Sequence, residues 1–253
     1  MQLSTSLVIT PSIFEPHQLI AAQSTRQGGL SAKPFDSLNL GLSVGDDATT
    51  VYQNRNLWCQ HLGIDLAQLA FSRQVHGAEI LRAETPQQAE GYDAVVTSTP
   101  GVYAVVSIAD CTPVLIYDPV HGASAAIHAG WKGTVAGIVS KTLASMQTWY
   151  GTKAADCKAW IGACIGPDAF EVDADVADHF SETEKRFDAT KKKFYVDLKA
   201  ANQQQLLAMG LVPQHIEVSS YCTIRHNDLF FSHRAGKGQT GRMWAIIGRR
   251  AQD

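Results

Sequence analysis

The chain has 253 residues, 21 Lys+Arg against 24 Asp+Glu, and a formal net charge of -3. With 45% hydrophobic residues it can bury a substantial core, and without a dense Lys/Arg block it offers no footprint for nucleic acid. The first residues lack a basic, apolar leader, no apolar run reaches membrane-spanning length, and five cysteines with no CxxC pair read as reduced thiols of a cytoplasmic protein rather than a disulfide scaffold.

In chain order, Leu7–Ile9 and Leu19–Ala22 read as short strands. Residues 25–47 are rich in Gly, Ser, Asn and Asp and read as an ordered surface-crossing loop, anchored by Leu30, Phe35, Leu38, Leu40 and Leu42. Asp46 or Asp47 caps a helix that runs to about Leu62, with Val51, Leu57, Trp58 and Leu62 as its apolar face and Gly63 as its stop. Leu69–Arg73 and Ile80–Ala83 are strands around Gln74-Val75-His76-Gly77. Residues 85–91 are polar surface, and Ala94–Thr97 is a strand.

The stretch from Val102 to Lys132 organises the rest. Val102–Ile108, Pro113–Tyr117 and Ala123–Ile127 are buried strands, with Cys111 just past the first and His128 closing the third. Reactive groups at strand ends beside a helix start are where α/β folds place chemistry. Thr134–Tyr150 reads as one helix stopped by Gly151. Cys157–Ile161 is a strand entering the turn Gly162–Pro167. Asp173–Phe180 and Leu198–Met209 are helices, the second capped by Asp197, and Ile216–Ser219 and Trp244–Ile247 are late strands. Lys191–Lys193 reads as a solvated turn, and His17, His61, His179 and His215 as exposed. Cys222 and His226 form a C-x3-H pair without a partner pair at zinc-finger spacing. The pattern is a mixed α/β domain spanning residues 1–253, unbroken by repeat or linker.

His76, Cys111 and His128 form the candidate site. Two imidazoles and a thiolate hold zinc and leave a fourth position open for water or substrate, where a bound oxygen is polarised. The same three residues also fit a nucleophilic Cys111 activated by histidine. They equally fit a copper site of two His and one Cys, or a buried structural Cys with two hydrogen-bonded histidines. Gly130-Trp131-Lys132-Gly133 adds an aromatic face, a cation and a helix start suited to an anion. Arg26, Arg234 and Arg242 flank Gly-rich loops and have the fork geometry that binds phosphate; ordinary surface arginine is the alternative for each.

Taken in order, Thr25–Ser31, Ser37–Gly41 with Val44–Asp47, Gln74–Gly77, Ala109–Pro113, His128–Gly133, Gly162–Pro167 with Phe170–Val172, and Thr240–Arg242 resemble the YfiH family. It is also called the laccase-domain, polyphenol-oxidase or peptidoglycan-editing-factor family. The resemblance implies a layered α/β/β/α domain, related in its Cys/His site to deamidating toxins. It implies that His76, Cys111 and His128 bind zinc and are catalytic, with copper as the other occupant. The implied activity is phosphorolysis of adenosine, inosine or methylthioadenosine to base and ribose 1-phosphate, with adenosine deamination at the same site. Removal of a wrong amino acid from a peptidoglycan precursor and copper-dependent polyphenol oxidation are the alternatives.

From motif position, Arg26, Lys132 and Arg242 are expected near phosphate, and Asn39, Gln74 and Asp110 near ribose or base. The expected partners are small molecules, a purine nucleoside and phosphate, met in the cytoplasm by a monomer or homodimer without nucleic acid or membrane. A laccase-type copper cluster needs many imidazoles, several as His-x-His pairs. This chain has nine His and no such pair. Asp168 and Ala169 stand where relatives often carry Cys, Phe170 where Tyr is common, and His233 where Tyr is usual.

Overall fold

The computed structural model describes residues 7–14 and 19–251; His17 lies outside them. Two six-stranded sheets stack face to face between helices, the α/β/β/α layering expected from the sequence. The first runs, in spatial order, Val8–Ile9, Leu19–Ser24, Met243–Arg249, Tyr103–Ile108, Leu69–Arg73, Gln87–Glu90. The second runs Ile216–Val218, Lys158–Ile161, Thr112–Asp118, Ala123–Ala129, Ala94–Thr97, Ile80–Arg82.

Strand alternation sorts the layers. Ala104, Val106, Ala245 and Ile247 of the first sheet meet Leu115, Ala126, Val95 and Trp160 of the second in one buried apolar seam. The opposite faces are covered by helices. Trp58 and Cys59 of the Ala48–Leu62 helix pack on Tyr103, Val105, Trp244 and Ile246. Ile138, Val139, Leu143 and Met146 of the Ile138–Tyr150 helix, with Leu206, pack on Val114, Ile116, Ala125 and Ile127. Both faces of each sheet being covered explains why strands such as Tyr103–Ile108 are nearly continuous apolar runs.

Connectivity places the site. Leu69–Arg73 pairs in parallel with both Tyr103–Ile108 and Gln87–Glu90, so the C-terminal ends of these three strands lie at one end of the first sheet. From each the chain crosses into the second sheet: 74–79 leads to Ile80–Arg82, 91–93 to Ala94–Thr97, and 109–111 to Thr112–Asp118. These short crossings carry His76, Asp93 and Cys111. The two sheets thus share a seam whose one end is built from three adjacent turns.

Several elements differ from expectation for identifiable reasons. The helix read over Thr134–Tyr150 is two, Trp131–Val135 and Ile138–Tyr150, because Gly137 sits at φ +75°. Residues 85–91 hold the strand Gln87–Glu90, an edge strand with a single partner, which needs no apolar pattern. The helix read over Asp173–Phe180 is confined to Ala174–Ala177. Lys193 opens the middle strand of a three-stranded sheet (Glu171–Val172, Lys193–Val196, Lys185–Asp188) that sequence patterning did not reveal. The helix Ala48–Leu62 is capped by Asp47, whose side chain accepts from Thr50 N–H, and ends at Gly63 as expected. Leu57, however, is exposed, and the buried face is Val51, Asn54, Arg55, Trp58 and Cys59. His61 and His179 are exposed; His215 is half-buried. Cys222 and His226 lie in one tight turn, the His226 N–H donating to the Cys222 carbonyl. All five cysteines are free thiols. No helix among the described residues is long and apolar enough to cross a membrane.

Candidate functional site

His76 arrives on a turn that the chain cannot make cheaply. Its φ is +59°, in the left-handed region that non-glycine residues rarely occupy. The turn is held by a buried carboxylate on the neighbouring crossing. Asp93 accepts the N–H groups of Val75 (3.1 Å), His76 (2.9 Å) and Gly77 (2.8 Å). The same carboxylate accepts Nδ1 of His128 at 2.8 Å. One fully buried side chain therefore fixes both histidines, and it turns the other ring nitrogen of His128, Nε2, towards the third residue.

Cys111 follows Asp110, which also sits at positive φ (+84°). The Asp110 carboxylate is fastened on both oxygens, by the Thr223 hydroxyl (2.5 Å) and the Arg234 N–H (2.7 Å). The ligand atoms of His76, Cys111 and His128 all lie within 4.8 Å of one another, and the two imidazoles meet edge-on with centroids 4.9 Å apart. Gly130 makes the closeness possible. A Cβ there would lie 3.2 Å from Cys111 Sγ and 3.2 Å from the His76 ring. Gly130→Ala is therefore expected to spread the trio and weaken its affinity for added zinc by about 10-fold, read by competition with a chelator. Unchanged affinity would show that the cluster tolerates the extra methyl.

The electrostatics favour the ionised pair. Burial pushes the Cys111 thiol up, but the His128 charge and hydrogen bonds from His128 and His76 outweigh it and bring it down to about 6. Burial pushes His128 down, yet the Cys111 thiolate and the Asp93 hydrogen bond carry it up to about 9. Without metal the site is a thiolate beside an imidazolium. With metal the donor set is one thiolate and two imidazoles, one of them oriented by a carboxylate, the arrangement that suits zinc with an open position. The Cys111–His128–Asp93 chain also has the order of nucleophile, base and orienting acid.

The trio lies in a cavity of about 580 Å³, within the usual range for a small-molecule site. Gln74, Asp110, Arg242 and Arg234 also line it. Gln74 spends its amide on Ser107, donating to the carbonyl and accepting the N–H as a ladder rung would. Arg242 is bound through Nη1 to the Thr240 and Gly241 carbonyls.

Three residues expected near substrate lie elsewhere. Arg26 is paired with Asp36 and donates to the Asp36 and Asn227 carbonyls. Asn39 is fully buried, its Oδ1 accepting the N–H of Gly41 and Arg242, so it braces a loop. Lys132 is exposed, with Nζ over the Trp131 ring. Its helix has five residues, and it is Trp131 that faces the cavity.

Two residues of this region gave no functional signal in the sequence: Asp93, which holds both histidines, and Arg55, which lines the cavity. Asp93 shows only as an acid ahead of an apolar strand, and Arg55 only as a charged residue within a helix. Among the described residues, the one group of three or more His, Cys, Asp or Glu side chains close enough to share a metal is this trio. A cluster of several coppers lacks ligands there.

Residues 20–250 match the family model described as multi-copper polyphenol oxidoreductase laccase. The chain is 37% identical over 249 residues to the purine nucleoside phosphorylase YlmD of Geobacillus stearothermophilus, covering 92% of this chain and 91% of that one. It is 34% identical over 247 residues to the purine nucleoside phosphorylase YfiH of Escherichia coli strain K12, covering 96% and 98%. The crystal structure of YlmD from Geobacillus stearothermophilus superposes with a TM-score of 0.91 at 35% identity, covering 99% of this chain and 98% of that one.

Proposed function

The chain belongs to the multi-copper polyphenol oxidoreductase laccase family, and on that premise we propose that it is a zinc-dependent purine nucleoside phosphorylase. The reading is carried by its likeness, along more than nine-tenths of its length, to relatives named purine nucleoside phosphorylase. The cavity supports it, with room for a nucleoside and phosphate together and a metal-capable trio in its wall.

His76, Cys111 and His128 would hold the zinc, which when bound supplies a Lewis acid that polarises an oxygen in the cavity. In phosphorolysis a phosphate oxygen bonds to C1′ of the ribose. The bond from C1′ to the base nitrogen breaks, and the base leaves with that electron pair and takes up a proton. Trp131, Ile165, Phe170 and Leu198 give the cavity an apolar wall that would bind the base and exclude water from it. Asp110, pinned by Thr223 and Arg234, presents a fixed acceptor to a ribose hydroxyl. Asp93 keeps His128 Nδ1–H engaged, so that Nε2 serves the site.

Adenosine deamination is the second activity proposed for the same cavity. The metal-free alternative, with Cys111 attacking an amide of a cell-wall precursor, draws its support from the Cys111–His128–Asp93 chain.

The purified protein given adenosine and phosphate is expected to release adenine and ribose 1-phosphate, with adenine release depending on phosphate. Inosine formed without phosphate would report the deaminase. No turnover of any purine nucleoside, with hydrolysis of a muramyl amide instead, would reject the phosphorylase reading.

A further inference from the structure

The first sheet's helix buries a cation that nothing in the catalytic trio uses. Arg55, on the Ala48–Leu62 helix, is 6% exposed and lines the cavity. Its Nε donates to the Leu40 carbonyl at 2.9 Å, and among the described residues no carboxylate pairs with it. Its guanidinium lies 4.5 Å from the Trp244 ring centroid, 5.6 Å from that of Tyr52 and 5.7 Å from that of Phe71. Burial pushes its pKa down to about 10, which leaves it charged at neutral pH. A buried charge without a counter-charge is costly, and aromatic faces recover only part of that cost. Because Arg55 lines the cavity, its Nη donors are the groups that a ligand there would engage.

The backbone of a second cavity arginine, Arg242, is fixed beside the same loop, and its guanidinium is held by the Thr240 and Gly241 carbonyls. The Leu40 N–H donates to the Arg242 carbonyl at 3.0 Å, and Asn39 Oδ1 accepts the Arg242 N–H at 2.8 Å. Residues 39–41 are thus a strap, with Arg55 tied to its carbonyl side and Arg242 to its amide side. The other two cavity arginines are engaged differently. Arg73 is exposed and faces Glu90 at 3.9 Å, and Arg234 Nη1 donates to the Glu171 carbonyl.

We infer that Arg55 is the anchor of a tetrahedral oxyanion site in this cavity, with Arg242 as the second arm, and that its occupant is the phosphate of the phosphorolysis proposed above. The inference rests on that reading for the identity of the anion, while the site itself rests on Arg55. Planar guanidinium forks bind phosphate oxygens in pairs. Placing the anion by Arg55 and Arg242 takes this role from Lys132 and Arg26, and it gives the buried Asn39–Gly41 strap a purpose as the part that sets the two forks in register.

Trp244 reports on the site, since it stacks on Arg55. Titration of the wild-type protein with inorganic phosphate, followed by tryptophan emission and calorimetry, is expected to show saturable binding. Arg55→Met should weaken it by about 10- to 100-fold, as for loss of charged hydrogen bonds, and Arg55→Lys should recover part of it. In steady-state phosphorolysis the same variants should raise KM for phosphate by a like factor and leave KM for nucleoside within about twofold.

Equal phosphate affinity in folded Arg55→Met, or an equal rise in both KM values, would overturn the site and leave Arg55 as a prop for the strap. Phosphate binding that needs Arg55 in a protein without phosphorylase activity would keep the site and reject the phosphorylase reading. Ribose 5-phosphate run in parallel tests the source: binding tighter than that of inorganic phosphate, and lost in Arg55→Met, would assign the site to a sugar phosphate and overturn inorganic phosphate as its occupant.

Discussion

If the site holds zinc as proposed, Cys111→Ala is expected to abolish metal binding and to lower the proposed phosphorolysis by about 10³-fold or more, the loss that follows when a Lewis acid worth several kcal/mol leaves a barrier. The fold should survive, because Cys111 lies in a crossing turn and not in either apolar layer. Its thiol is also set apart from three of the buried cysteines. Burial pushes Cys59, Cys157 and Cys164 up to about 12, and their thiols stay protonated. Cys111, brought down to about 6, is a thiolate at pH 7. Iodoacetamide added to metal-stripped protein at pH 7 should therefore label Cys111 well ahead of those three, by peptide mapping, and zinc should protect it. The metal and thiol mechanisms then separate. Turnover that survives stripping but vanishes in Cys111→Ala makes Cys111 a nucleophile with His128 as its base. Metal and turnover both intact in Cys111→Ala would remove the trio from the active site.

What the sequence disclosed and what it hid follow from how local each signal is. Asp47 and Gly63 of one helix, and Asp197 of another, mark helix ends through bonds within a few residues, and these boundaries were legible. His76, Cys111 and His128 stood out as reactive groups in short turns beside apolar runs, and the family resemblance is what joined them as one metal site; the structure brings their ligand atoms together. Asp93 was not legible, because its four partners belong to residues 75–77 and 128, and only the crossing topology brings these to one carboxylate. Arg55 was hidden for the same reason: its aromatic neighbours Phe71 and Trp244 come from strands far apart in the sequence. Asn39 and Arg26 show the converse error. Their motifs are rich in polar residues because the loop 25–47 has no ladder of its own and must satisfy its backbone with side chains. Gly137 was read through because apolar spacing continues on both sides of it.

Asp93→Ala should be the most destabilising single change in the site. It leaves three part-buried backbone N–H groups and the buried His128 Nδ1 without an acceptor, at a cost of about 2–4 kcal/mol and a fall in Tm of roughly 5–12 °C for a chain of this size. Metal affinity should fall by about 10- to 100-fold as well, since His128 loses its orienting partner and His76 its turn. Asp93→Asn separates shape from charge: its amide group must face at least one N–H that the carboxylate accepts, so it cannot restore the turn.

The pH dependence of the metal-free protein identifies the mechanism. Burial pushes Asp93 up, but His128 and the amides of Gly77 and Val75 hold it below its ordinary value. A lowered native pKa contributes stability that is fully present above the unfolded value, about 3.9, and is lost as pH falls below it. His128 has the opposite sign. Its native pKa is raised to about 9, so its share is full below the unfolded value of about 6.5 and is lost as pH rises through 9. The gap in unfolding free energy between wild type and Asp93→Asn should therefore be widest between about pH 4 and 6.5 and narrow on both sides, leaving at high pH the part owed to the three backbone bonds. Urea unfolding at pH 3.5, 5.5 and 9.5 measures it. A gap that stays constant across that range would mean that Asp93 acts through packing alone, and that the carboxylate charge does not set the protonation of His128.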